Sequence, residues 1–318
     1  MVEWAIYSSG GKIMEITTSL ITDNQQYLLL LATVMSLSFW AKKTQIFLPV
    51  YKFIADRVKS KRAVVALISL ISGVLPINGR ASVSAGALDT IAPNNEKRKV
   101  FGIIDYLSTH HYYFWSPLEA TVLVPMAALS ISYWEFMGRI WPLLATALIV
   151  IFYYIFKIVK EDEVEINISK SISPSTWKED RKQIKSYATT LLFVGLVIIL
   201  SNIVKANFDQ INAWVNGAHD NGLLVLVAVA GFLASFALGS SGKFAGFTSL
   251  SATVYGIDYL PLFFAIDYAG YMLAPTHKCL VITKSYFDTP LKKHYKAIFA
   301  LVLPIVLVGI LTYLTIDK

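Results

Sequence analysis

Charge is what this chain has least of. Of its 318 residues only 15% are Asp, Glu, Lys or Arg, against 55% hydrophobic, and the mean hydropathy is +0.56. A soluble globule carries about 25% charge. The chain has too little polar side chain to cover a folded surface in water, which excludes soluble domains, disordered segments and nucleic-acid-binding modules. Cys279 is its one cysteine, so an internal disulfide or a Cys-cluster metal site is excluded. No Walker or dinucleotide glycine pattern is present, so no nucleotide cofactor is expected. The first 25 residues lack a basic stretch followed by an apolar run. No cleaved signal peptide is therefore expected, and the first membrane segment serves as its own insertion signal.

What remains reads as an all-α polytopic membrane protein. A bilayer core of about 30 Å needs about 20 apolar residues in helix. Gln26 to Trp40, Ile140 to Phe156, Tyr187 to Val204 and Tyr295 to Thr315 supply uninterrupted spans. Other apolar segments are broken. Arg62 to Leu75 stops at LPINGR and is followed by ASVSAGALDTIAP; Gly222 to Leu238 stops at LGSSGK and is followed by FAGFTSLSATVYG. Short helix, polar glycine turn and short helix describe a re-entrant hairpin, in which small residues let backbones approach. Val100 to Ser132 is interrupted at Ser116-Pro117, and Leu260 to Phe287 at Ala274-Pro275. Proline removes a donor and disfavours helix at the residue before it, so both are read as membrane helices unwound at mid-depth. Thr44 to Arg57 and Asn207 to Ala218 are too short and polar to span and are read as interfacial helices.

The two halves list these parts in the same order at nearly constant offset. Gly79-Arg80 and Gly242-Lys243 are 163 apart, Asp105-Tyr106 and Asp267-Tyr268 162 apart, and Pro117 and Pro275 158 apart. Broken helices at corresponding positions are the sequence pointer to a secondary transporter's binding site. If each hairpin returns to its starting side, each half crosses the membrane three times and the second repeat is inverted. With the N-terminus outside, 21 of the 28 basic residues fall on the cytoplasmic side, 4 outside and 3 (Arg80, Lys243, Lys278) within the membrane. The net charge of +7 is then orientation, not a nucleic-acid footprint. The expected organisation is an extracellular segment 1–25, transmembrane repeat 26–160, cytoplasmic linker 161–185 and inverted repeat 186–318.

The stretches GVLPINGRASVSAGALD, HHYYFWSPLEATVLV and DYAGYMLAPTHKCLVITKSYF resemble an uncharacterised family of prokaryotic membrane proteins, domain of unknown function 401. The likeness is strongest from Tyr268 to Phe287, with its Gly, Pro, His, Cys and Thr-x-x-Tyr-Phe run. That family is placed with the divalent anion:sodium symporters and gluconate permeases in the ion-transporter superfamily. The resemblance implies inverted repeats, an elevator-type mobile transport region on a dimeric scaffold, and substrate held where hairpin tips meet unwound loops. The chain departs from those symporters in being shorter and in carrying Arg80 and Lys243 at its tips, where the symporters use Ser-Asn-Thr to bind sodium. Fixed cations there weigh against sodium coupling.

On this reading the substrate contacts are Asn78, Gly79, Arg80, Ser82, Ser240, Ser241, Gly242, Lys243, Pro117, Pro275 and Thr276. Helix N-termini and the two cations would capture an anion. The alternative is that each cation pairs with Asp89, Glu119, Asp105 or Asp267 and pins its hairpin. Glu119, His277, Asp105 and Asp267 are the proton-coupling candidates, with structural pairing or a satisfied interior histidine as the alternative. His110-His111 invites a metal, but adjacent helical residues point about 100° apart and do not ligate one ion from a regular helix; no metal site is expected. The leading expectation is a non-enzymatic plasma-membrane transporter that moves a small anion such as a carboxylate, coupled to protons or exchanging, and acts as a homodimer. The alternatives are a non-transporting membrane subunit and an intramembrane enzyme using His277, Glu119 or Cys279.

Overall fold

Runs of Leu, Ile, Val and Phe punctuated by Pro and Gly give short helices, and every described element is helical. The computed structural model describes residues 48–74, 80–89, 91–166 and 221–316, with isolated helical positions in 29–36 and 181–196. The spans Gln26 to Trp40 and Tyr187 to Val204, the arm Asn207 to Ala218 and most of the linker 161–185 lie outside the described residues.

In chain order the helices are α1 (Leu48–Arg57), α2 (Lys61–Val74), α3 (Arg80–Asp89), α4 (Arg98–Ser108), a 3-10 turn (His111–Phe114), α5 (Ala120–Leu129) and α6 (Tyr133–Tyr153). After the linker come α7 (Asn221–Leu238), α8 (Ser241–Tyr255), α9 (Leu260–Leu273), α10 (Lys278–Phe287) and α11 (Leu291–Ile316). One interruption begins earlier than expected: α4 ends at Ser108, eight residues before Ser116, and a 3-10 turn fills the gap. Pro275 leaves Ala274 extended at φ −60°, ψ 124°, ending α9. Ser116-Pro117 separates the 3-10 turn from α5, and α7 gives way to α8 at Gly239-Ser240.

Among the described residues, two helices are long and apolar enough to cross a membrane: Tyr133–Ile158, comprising α6 and the turn after it, and Leu291–Thr315 within α11. Ser132 starts α6 with a capping box, its hydroxyl accepting from the Glu135 amide while the Glu135 carboxylate takes the Ser132 amide at 2.8 Å. α6 ends in a π turn, Tyr154–Ile158. Arg62 of α2 satisfies that end: its guanidinium donates to the Phe156 and Val159 carbonyls at 3.1 and 2.8 Å and to Glu161 at 2.5 Å. Apolar side chains cover the outer faces of both long helices; Trp134 is 79% exposed and Leu303 60%.

Part of the packing is reciprocal. α2 packs on α3 and α4, and α7 on α8 and α9. α3 packs on α10 of the other half, while α8 packs on α5; α4 meets α11, and α9 meets α6. The long helices α6 and α11 pack on each other. α5 and α10 are both ten residues long, and each ends on a non-glycine residue in the left-handed region, Ser130 (φ 56°) and Asp288 (φ 50°). Those two are 158 positions apart, the spacing of Pro117 and Pro275. The aromatic run after His110 is core: Tyr112, Tyr113 and Phe114 are fully buried, and Phe114 lies 4.8 Å from Tyr268 across the halves.

Candidate functional site

The second hairpin tip rests on the second helix break. Gly239 has φ +52°, which a side chain would strain, and a Cβ there would meet Thr276 Oγ1 at 2.6 Å and the His277 amide nitrogen at 3.2 Å. Ser240 is extended (φ −134°, ψ 128°) and its carbonyl accepts from the Lys243 and Phe244 amides at 3.1 Å. The first turn of α8 thus starts at the tip with Ser240, Ser241 and Lys243 half-buried and Gly242 buried. Beside it Pro275 and Thr276 are exposed and His277 is buried. The structure therefore sets Gly239, next to the tip residues Ser240 to Lys243, against Thr276 and His277 of the second break. Asn78 and Gly79 lie outside the described residues, as do the side chains of Arg80 and Ser82. Pro117 is exposed in the other break; Glu119 after it is buried and extended, and its carbonyl opens α5 by accepting from Val122 and Leu123.

Behind the breaks lie two buried carboxylates in matching surroundings. Asp105 on α4 is wholly buried, and its Oδ1 accepts from the Ser84 hydroxyl of α3. Asp267 on α9 is 1% exposed, and its Oδ2 accepts from the Thr248 hydroxyl of α8 at 2.8 Å. The second oxygen of each, Asp105 Oδ2 and Asp267 Oδ1, takes no hydrogen bond. No lysine, arginine or histidine among the described residues pairs with either carboxylate. Ser69 of α2 and Tyr51 of α1 also neighbour Asp105, Tyr51 being joined to Ser72 at 2.7 Å. Asp267 instead presses on Gly231 of α7, where a Cβ would collide with its Oδ1. An ionised carboxylate buried without a partner costs many kcal/mol; a proton or a bound cation removes that cost.

A third group gathers at the two breaks. His110 Nε2 and His277 Nε2 face each other at 3.2 Å, and Tyr106 Oη lies 3.2 Å from His277 Nδ1. Cys279 Sγ lies with them, every pair of candidate donor atoms being within 4.8 Å. His111 turns the other way, accepting at Nδ1 from Trp115 Nε1 at 3.0 Å and stacking on that ring. The two adjacent histidines thus diverge, as the helical argument requires, while His110 finds its neighbours in the other half of the chain.

Of the acids weighed as partners for the tip cations, Asp89 is engaged by Arg98, whose guanidinium also donates to the Tyr286 carbonyl at 2.7 Å. Asp105 and Asp267 each accept a hydroxyl hydrogen bond, from Ser84 and Thr248. Sequence reading singled out both aspartates and missed Ser84, Thr248 and the neighbour of His277, His110. The repeat offset was the available signal for the hydroxyls, Ser84 and Thr248 being 164 apart; His110 and His277, 167 apart, do not follow it.

With this geometry in view, the family comparison adds one match. The model of a family described as "Protein of unknown function (DUF401)" matches residues 223–316, the stretch from α7 to α11 that carries Lys243, Asp267 and His277. No curated protein and no solved structure matches the chain.

Proposed function

We propose that this chain is a polytopic membrane transporter of two inverted repeats that carries a small anion, coupled to protons, by an elevator-type motion. The observation that carries the reading is the matched pair of buried carboxylates, Asp105 and Asp267. Each is held at one oxygen by a hydroxyl from the helix that follows a glycine-containing break, and neither has a basic partner among the described residues. Ionisable groups buried in apolar surroundings mark ion pathways and proton relays in membrane proteins. Reciprocal packing of α3 on α10 and α8 on α5, and the left-handed ends of α5 and α10 at a common spacing, support a two-fold relation between the halves. The apolar outer faces of α6 and α11 support a lipid surrounding.

The anion site in this reading is the tip of α8 against the α9–α10 break. Lys243 and the first amides of α8 supply positive potential, and Ser240, Ser241 and Thr276 supply hydroxyls. Arg80 with Asn78, Gly79 and Ser82 would contribute from the first tip. Coupling is assigned to Asp105 and Asp267 ahead of Glu119 and His277, because only the aspartates sit in matching pockets. Location in the plasma membrane with the N-terminus outside, and association as a homodimer, follow from the charge distribution and the family resemblance.

The test is a binding panel on purified protein: carboxylates, phosphate and sulfate, with and without sodium and across pH, read by thermal shift. Stabilisation by at least one anion without sodium, lost in Lys243→Gln or Arg80→Gln, is expected. No anion stabilising the protein at any pH, or stabilisation only with sodium, contradicts the reading.

A further inference from the structure

We propose that His110, His277 and Cys279 form a binding site for a single borderline-to-soft metal ion of the zinc class, pinning the helix breaks of the two halves together. The three donors come from separate places: His110 from the end of α4, His277 from the α9–α10 break, Cys279 from the first turn of α10. Their donor atoms all lie within 4.8 Å of one another, and both histidines are at most 1% exposed.

The hydrogen bonds orient the rings. His110 Nδ1 lies against the Tyr106 carbonyl, and His277 Nδ1 lies 3.2 Å from the Tyr271 carbonyl. A carbonyl only accepts, so with the hydrogen of each ring on Nδ1 for these carbonyls, each Nε2 keeps a lone pair for a metal. Both lone pairs then point into the same space, across 3.2 Å. A cation between them converts that opposition into two bonds. This Nδ1–H to carbonyl support is also how metal-binding histidines are held in position.

Size and donor type select the ion. With metal–nitrogen bonds of about 2.0–2.1 Å and tetrahedral angles, two coordinated nitrogens stand about 3.3 Å apart, close to the spacing found. Two imidazoles and a thiolate suit zinc or copper(I) and disfavour magnesium and calcium, which take oxygen ligands. Three protein donors leave a fourth position open to water or another ligand. The site rests on its own geometry and not on the transport reading: metal binding without anion stabilisation, or the reverse, separates the two.

The experiment uses the full chain in detergent, stripped with a chelator and titrated with Zn2+, with Co2+ as a spectroscopic probe and Mg2+ as a control. One equivalent of Zn2+ per chain is expected, with a raised melting midpoint, and Co2+ should give a thiolate charge-transfer band. Cys279→Ser should abolish that band. It should also weaken Zn2+ binding by at least about 10- to 100-fold, the loss seen even when an outer-sphere partner is removed. His110→Gln and His277→Gln should weaken it equally, and His111→Gln should not. Cys279→Ser changes one atom at a half-buried position, so it keeps the test decisive if a histidine variant fails to fold. Zn2+ binding no tighter than Mg2+, binding unaffected by Cys279→Ser, or equal loss in His111→Gln overturns the proposal.

Discussion

The pockets around Asp105 and Asp267 use one chemistry with two degrees of support. Both carboxylates accept one hydroxyl bond from the helix after a break, Ser84 for one and Thr248 for the other. Around Asp105 the neighbours are polar, with Ser69 and Tyr51 close by. Around Asp267 the close neighbour is the bare backbone of Gly231, and a carboxylate oxygen fills the place of the missing side chain. The difference teaches that the acid and its hydroxyl are common to the two pockets, while the wall behind them differs. The Asp267 pocket is the tighter and less forgiving of the two.

The largest expected effect separates chemistry from packing. Asp105→Asn and Asp267→Asn keep shape and remove the charge change. Each should bring proton-driven anion uptake in proteoliposomes to the level of empty vesicles while leaving the melting midpoint within a few degrees. Retained uptake in one variant alone would show that only one pocket couples.

Gly231→Ala should come next. Its methyl group meets Asp267 Oδ1, so the helix or the carboxylate has to move, and overpacking of this kind costs about 1–3 kcal/mol. Reduced thermal stability, with weaker coupling through Asp267, is the expected result. An unchanged midpoint would mean that α7 and α9 separate easily at this point.

Hydroxyl removal sharpens the same contrast. Thr248→Val and Ser84→Ala each take away the hydrogen bond to a buried carboxylate, a loss of about 1–3 kcal/mol. Thr248→Val should lie at the upper end, because it removes the one hydrogen bond Asp267 takes among the described residues, while Asp105 retains Ser69 and Tyr51 nearby. Equal losses in chemical unfolding would mean the two pockets are energetically alike.

How much of this the sequence contained depends on the range of the interaction. The breaks at Pro117, Pro275 and Gly239 were legible because proline and glycine act on their own backbone, and the helices stop there. Asp105 and Asp267 were legible because a charged residue in an apolar run stands out. Ser84 and Thr248 were not, since which hydroxyl faces an acid is set by the register of two packed helices. The gathering of His110 with His277 and Cys279 depends on contacts between the halves, so adjacent-residue geometry judged only His110 against His111. The π turn at the end of α6 and its Arg62 support were also not anticipated. Both depend on where α2 docks.

That junction supplies the smallest effect. Burial pushes the Glu161 carboxyl up, but hydrogen bonds from Arg62, Ser60 and the Lys61 amide, with the Arg62 charge, outweigh it and hold the group below its ordinary value. A lowered folded pKa gives stability that is full above the unfolded value, about 4.3, and is lost as pH falls through the lower folded one. Glu161→Gln should therefore cost about 1 kcal/mol or less at neutral pH, since the side chain is 42% exposed. The difference from the unaltered protein should vanish in acid. A deficit that persists below the folded pKa would mean the glutamine disturbs the π turn itself.

The central claim is that anion movement carries protons through the two aspartate pockets. Its most direct test is to reconstitute the protein in sodium-free vesicles holding a pH-sensitive dye and impose an inward gradient of the anion that stabilises it best. Acidification of the lumen in step with anion entry, abolished by Asp105→Asn and by Asp267→Asn, is the predicted result. Anion entry with no change in lumenal pH, or entry only when sodium is added, would contradict it.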